Sequence, residues 1–230
     1  MELSKVYIIE DQSGFDERAM EIISGYIPPA RKERAARYRR LIDRNNCILV
    51  YFLLMYGLLK DFGMEEVPAI YVGEYGKPSF LRSDICFSMS HSDTGVCCGI
   101  ARCNIGADIQ DTNIHYEDMT NLVMSDREKE IILSSRTPQA EFARFWTLKE
   151  SLLKYRGIGI NDDLKSIDMS KLIGTEPVYE GIFFRSEKSE KLCVSACAEN
   201  GTPVFIRRSV DEYIDDFILM KNSVRLQPNH

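Results

Sequence analysis

Asp108 and Gln110 stand two residues apart on a short apolar run, Ile105 to Ile109, and further along the chain reads Trp146-Thr-Leu-Lys149-Glu150-Ser-Leu-Leu-Lys154. The run alternates. Ile105, Ala107 and Ile109 share one face and Gly106, Asp108 and Gln110 the other, so a strand would aim both oxygen-bearing side chains at one place. The second segment predicts a helix over about Pro138 to Tyr155, with Pro at a first helical position, Gly157 as a stop, and Phe142, Phe145, Trp146, Leu152 and Leu153 at helical spacing. Lys149 falls within that apolar stripe, where an ammonium must find water or an anion. Glu150 and Lys154 lie on its edge, one turn apart. Mg²⁺ takes a few oxygen ligands together with substrate phosphates, so a carboxylate on a strand, a carboxylate on a helix and nearby lysines suit a metal-bound diphosphate.

Each signal also has a plainer reading. Glu150 and Lys154 at i,i+4 are what a solvated helix pair looks like, worth about 0.3–0.5 kcal/mol, and an aspartate at a strand end often serves a turn. Upstream, Lys77 sits in Tyr75-Gly76-Lys77-Pro78, where Gly76 permits a tight bend and Pro78 fixes the exit. The segment Phe87-Ser-Met-Ser90-His91-Ser92 ends an apolar strand and enters a polar turn, which places His91 at an exposed strand tip. His115 and His230 have no motif around them. Ser125-Asp-Arg-Glu128 ahead of Ile131, Ile132 and Leu133 is a capping-box pattern that accounts for Glu128 without chemistry. Arg31 to Arg44 gathers seven basic residues against Glu33 and Asp43, either an anion site or a solvated helix face.

The elements that must carry these residues are legible in outline. Strands are expected at 5–9, 68–73, 84–90, 95–102, 105–110, 165–169, 178–184, 192–198 and 203–208, and helices at 15–25, 30–59, 126–134 and 138–156, an α+β mixture. At 230 residues and 44% hydrophobic, the chain has enough apolar material for a sizeable core. A net charge of -6 argues against bulk nucleic-acid binding. The longest apolar stretch, Cys47 to Leu59, is too short to span a bilayer. The amino terminus lacks the pattern of a secretory signal, so a cytoplasmic address is expected. Seven cysteines without zinc-ligand spacing fit reduced, buried thiols there.

Taken in order, Gly76-Lys77-Pro78, Phe87-Ser-Met-Ser-His-Ser92, Gly106-Ala-Asp108-Ile-Gln110 and Trp146-x-x-Lys-Glu-Ser-x-x-Lys154 resemble the motifs of Sfp-type 4'-phosphopantetheinyl transferases. The resemblance implies that family's fold, two similar α/β halves related by a pseudo-two-fold axis with the active site in the cleft between them. It implies a boundary near Asn104, with an N-terminal half over 1–104 and a C-terminal half over 105–230. The activity it implies is transfer of the 4'-phosphopantetheine arm of coenzyme A to a serine of an apo-acyl or peptidyl carrier protein, with Mg²⁺ as cofactor and a monomeric enzyme. No nucleic acid and no membrane enter.

Residue by residue, the resemblance assigns Asp108, Gln110 and Glu150 to the metal. Arg31, Arg34, Lys77, Ser90, His91, Lys149 and Lys154 fall to coenzyme A, and Glu150, Lys154 and Glu128 to catalysis. Gln110 departs from the family, where many members have a glutamate, and Asn46 stands where an arginine is usual; Arg44 could substitute for it. The segment from about Thr112 to Leu133, with Met119, Leu122, Val123 and Met124, is expected to help dock the carrier protein. The carrier served, whether of fatty acid, polyketide or nonribosomal peptide synthesis, stays open. A non-catalytic homologue that binds coenzyme A or a carrier, and an unrelated metal-dependent nucleotidyl or phosphoryl enzyme, are the alternatives.

Overall fold

The computed structural model describes residues 4–159, 164–173 and 177–225. The chain runs β1 (Lys5–Ile9), α1 (Glu17–Ser24), α2 (Pro29–Ala36), α3 (Leu41–Phe62), β2 (Ile70–Val72), β3 (Pro78–Phe80), β4 (Cys86–His91), β5 (Val96–Ala101) and β6 (Ile105–Asp111). It continues through α4 (Glu117–Val123), α5 (Asp126–Ser134), α6 (Pro138–Arg156), β7 (Val178–Tyr179), β8 (Ile182–Lys188), β9 (Leu192–Ala198), β10 (Val204–Arg207) and α7 (Val210–Arg225). One four-stranded sheet has the order β10-β1-β5-β4, another β6-β9-β8-β7, and β2 and β3 form a separate hairpin. The architecture is α+β, as expected.

The strand alternation explains the layers. Tyr7 and Ile9 face a core made with α3, while Val6 and Ile8 join Cys97, Ile105, Ala107, Ile109, Val194 and Ala196 in a second cluster between the two sheets. A third cluster fills the space between the second sheet and α6, with Phe142, Phe145, Leu148 and Leu152 from the helix and Phe184 and Cys197 from the sheet. Each sheet therefore has a long helix on its outer face and the other sheet on its inner face. Gly106 makes the α6 contact possible, because a Cβ there would collide with the Ser151 carbonyl.

Two expectations need correction. The segment 165–169 is not a strand: residues 164–166 and 170–173 form short 3₁₀ turns. Leu164, Ile167 and Met169 are buried in the α6 cluster, and Leu164 and Ile167 stand three apart, the spacing at which a 3₁₀ turn aligns side chains. The helix expected over 30–59 is broken at Arg37–Arg40 into α2 and α3. The C-terminal elements also return to the first sheet, since β10 pairs in parallel with β1 and α7 lies against α3. The second sheet is built from residues 105–198, and the segment beyond β9, inside the expected 105–230 half, adds β10 to the first sheet. Among the described residues no helix is long and apolar enough to cross a membrane.

Candidate active site

The edge strands β4 and β6 run alongside each other where the two sheets meet, and three serines join them. Ser88 Oγ accepts from the Ala107 N–H at 3.0 Å, Ser90 Oγ donates to Asp108 Oδ1 at 2.6 Å, and Ser92 Oγ donates to Asp111 Oδ1 at 2.9 Å. Residues i, i+2 and i+4 of a strand share a face, so an alternating serine pattern presents three hydroxyls to one neighbour. The sequence reading missed this role. The signal was the Ser-x-Ser-x-Ser spacing itself.

Asp108 is buried and faces α6, as the alternation of β6 requires. Lys154 reaches its Oδ1 at 2.6 Å and Ser90 Oγ at 2.8 Å, which closes a small cluster of carboxylate, hydroxyl and ammonium. Burial works to lower the Lys154 pKa, but the charge and hydrogen bond of Asp108 overcome it and hold the ammonium above its ordinary value. Glu150 is one helical turn before Lys154. Its Oε1 is buried without a partner. Burial pushes its carboxyl up to about 7, the Asp108 charge adds to the rise, and Lys154 opposes it.

Two adjoining cavities share Gly76, Pro78 and Met89 in their walls, and the smaller of them reaches this cluster through Glu150 and Lys154. The larger, about 520 Å³, is lined by Arg31, Arg34, Tyr38, Tyr51 and His91. The smaller, about 300 Å³, is lined by Lys77, Glu150, Lys154 and Gly157. Arg31 lies over the Tyr51 ring at 5.1 Å and donates through Nε to the Cys47 carbonyl, which leaves its terminal nitrogens for the cavity. Lys77 donates to the Tyr155 carbonyl at 3.1 Å, where a cation suits a helix C-terminus. Its hairpin turns at Gly76, whose φ of +85° favours glycine.

The structure brings together Arg31, Arg34, Lys77, Ser90, His91, Asp108, Glu150 and Lys154. It sets two of the expected residues apart. Lys149 and Glu128 are both fully buried and paired with each other at 2.7 Å. Lys149 also donates to the Val123 and Leu164 carbonyls, so each of its three N–H groups is used inside the protein. Glu128 completes the capping box on Ser125 and accepts from the Met169 N–H. This corrects the assignment of Lys149 to phosphate and of Glu128 to proton removal: neither has an atom free for a substrate. Arg44 donates to the Tyr38 carbonyl and does not line either cavity. His230 lies outside the described residues.

Among the described residues no group of three or more His, Cys, Asp or Glu converges on a common point. Asp108 and Glu150 supply two hard oxygen donors. Gln110, half-buried on the same face of β6, has a carbonyl oxygen to add. An unpartnered carboxylate oxygen beside a second carboxylate with a single ammonium between them is an electrostatic deficit, and the donor set fits Mg²⁺ with substrate phosphates completing the shell. The expected docking segment divides. Met124 is wholly buried, Met119 and Val123 pack against the α6 cluster, and Leu122 is 73% exposed.

Comparison with known proteins points to one family. Residues 104–198, which coincide with the second sheet and its helices, match the model of the 4'-phosphopantetheinyl transferase superfamily. The chain is 26% identical over 184 residues to the L-aminoadipate-semialdehyde dehydrogenase-phosphopantetheinyl transferase of Saccharomyces cerevisiae, covering 73% of this chain and 67% of that protein. It is 28% identical over 161 residues to the 4'-phosphopantetheinyl transferase gsp of Aneurinibacillus migulanus, covering 68% and 67%. With the 4'-phosphopantetheinyl transferase Sfp of Bacillus subtilis it shares 24% identity over 169 residues, covering 72% and 75%.

Proposed function

We infer that this chain, which belongs to the 4'-phosphopantetheinyl transferase superfamily, transfers the 4'-phosphopantetheine arm of coenzyme A to a serine of an apo-acyl or peptidyl carrier protein. The observation that carries this reading is the cluster of Asp108, Glu150 and Lys154, of which Glu150 and Lys154 line the smaller cavity, beside a larger, basic cavity wide enough for a nucleotide. In this reading the adenosine and its 3'-phosphate occupy the larger cavity against Arg31, Arg34 and His91. The diphosphate then lies across the shared wall, within reach of Lys77 and Lys154.

The serine oxygen bonds to the β-phosphorus, the P–O–P bridge breaks, and the electron pair leaves with 3',5'-ADP. Glu150 is offered as the acceptor of the serine proton, since its buried Oε1 has no partner within the protein. Lys154 offers its hydrogen bonds to the phosphate oxygens as charge builds on the leaving group, and Ser90 keeps Asp108 oriented. Asp108, Glu150 and the Gln110 carbonyl would hold Mg²⁺, which when bound neutralises charge across the diphosphate. Leu122, exposed on α4, is offered as a carrier-docking contact. A monomer in the cytoplasm fits this role, and the seven free thiols suit a reducing compartment.

The test is incubation of the purified protein with coenzyme A, Mg²⁺ and a panel of apo-carrier proteins, read by mass spectrometry. A carrier that gains one phosphopantetheine arm supports transfer. Coenzyme A binding with no modified carrier across the panel would favour a non-catalytic homologue instead.

A further inference from the structure

At the rim of the larger cavity, His91 Nδ1 lies 3.4 Å from the amide nitrogen of Asn46. The orientation of that amide is fixed by partners other than the histidine. Gln12 Nε2 donates to Asn46 Oδ1 at 2.7 Å, and Asn46 Nδ2 donates to the Ser92 carbonyl at 2.8 Å. A carbonyl oxygen only accepts, so the group facing Ser92 is the NH₂, and the same NH₂ faces the imidazole. It has no acceptor to offer, so Nδ1 opposite it must accept. Asn46 is 1% exposed, and turning its amide over would break both anchoring bonds inside the protein.

We propose that Asn46 is a positioning residue for the anion cavity: its anchored amide holds His91 as the neutral tautomer with the proton on Nε2, an uncharged donor beside the guanidiniums of Arg31 and Arg34. The site gains direction from the imidazole while the arginines supply the charge. The surroundings agree. Burial is the largest influence on the ring and lowers its pKa; Lys154 and Arg31 act in the same sense, and Asp43 and Asp108 oppose them. The ligand side of the inference rests on the reading of this cavity as the 3'-phosphate site.

The measurement is long-range ¹H–¹⁵N NMR on the full chain without ligand, with His91→Gln identifying the ring among the three histidines. Wild-type protein at neutral pH is expected to show Nδ1 bare and Nε2 protonated. Free imidazole already favours that tautomer in water, so the deciding variant inverts the partner. Asn46→Asp presents an acceptor, and is expected to place a proton on Nδ1 and to weaken adenosine 3',5'-bisphosphate binding about tenfold, with adenosine 5'-monophosphate unaffected. A wild-type ring protonated on Nδ1, or an Asn46→Asp ring still bare there, overturns the tautomer. Equal losses for both nucleotides, or no loss, overturn the positioning role. The wild-type spectrum decides the tautomer even if the variant fails to fold. Since ring and nucleotide are both read without a carrier, failure to modify any carrier would sink the transferase reading alone.

Discussion

Lys154 and Asp108 meet at 2.6 Å across the seam between α6 and β6, on the same oxygen that receives the Ser90 hydroxyl. An ammonium seated there competes with any divalent cation for Asp108. Lys154→Met is therefore expected to tighten Mn²⁺ binding, measured by electron paramagnetic resonance as a stand-in for Mg²⁺, by about tenfold. The same variant should lose about 10²-fold in kcat, because the phosphate oxygens lose a donor. Tighter metal with lower turnover is the combined signature, and an unchanged Mn²⁺ affinity would separate Asp108 from the cation.

Glu150 gives a pH signature in the metal-free protein. Its folded carboxyl is pushed to about 7 by burial and by Asp108, against an ordinary 4.5. A raised pKa means the folded protein keeps a proton that the unfolded chain has lost between pH 4.5 and 7. Its contribution to stability is complete below that window and is lost as pH rises through it. Glu150→Gln carries no such titration. Thermal melts in chelator should show it level with wild type at pH 4 and more stable at pH 8 by about 2 kcal/mol. A difference that stays constant with pH would mean Glu150 is not held neutral.

The buried Lys149–Glu128 pair ties α5 and α6 to the turn at Leu164 and to Met169. Removing one partner strands the other charge in the core. Lys149→Met alone is expected to cost about 3–5 kcal/mol in denaturant unfolding, and pairing it with Glu128→Leu should recover part of that loss. The folded fraction of the double variant should retain transfer within about threefold. Full stability with transfer abolished would return both residues to the chemistry.

How much of this was legible in the sequence depended on whether the deciding contact was local. The alternation of Ile105 to Gln110 aimed Asp108 correctly, and the capping box at Ser125 placed Glu128 correctly, because both follow from strand period or a three-residue offset. Lys149 was misread because its stripe position says only that it must have a partner. That the partner is Glu128 depends on how α5 crosses α6. α7 was left out although Ser209 and Glu212 cap it reciprocally and Tyr213, Ile214 and Phe217 recur at helical spacing. The Asn46–His91 contact joins residues 45 positions apart, and no periodicity encodes it.

Arg31 and Arg34 line the larger cavity from α2, and Tyr51 stacks beneath the Arg31 guanidinium. If the 3'-phosphate lies there, Arg31→Met with Arg34→Met should raise the KM for coenzyme A about 10²-fold, consistent with loss of two charged donors. The KM for 3'-dephospho-coenzyme A should rise by no more than about threefold, since that molecule lacks the group they hold. Equal increases for both substrates would place the arginines elsewhere along the ligand.

Gln110 tests the metal shell from the opposite direction. It shares a β6 face with Asp108, is half-buried, and brings a neutral oxygen to a site that holds two carboxylates and one ammonium. Gln110→Glu adds a third negative ligand. With a divalent ion present, the added charge should tighten Mg²⁺ dependence of transfer by about tenfold, since hard-cation affinity rises with ligand charge. In chelator the same change crowds a third carboxylate against Asp108 and Glu150, and should lower the melting temperature above pH 7 while leaving it unchanged at pH 4. The two effects have opposite signs in the same protein. A general loss of folding cannot produce the first, and a residue pointing away from the cation can produce neither. An unmoved metal titration therefore removes position 110 from the coordination shell, leaving Asp108 and Glu150 as its protein ligands.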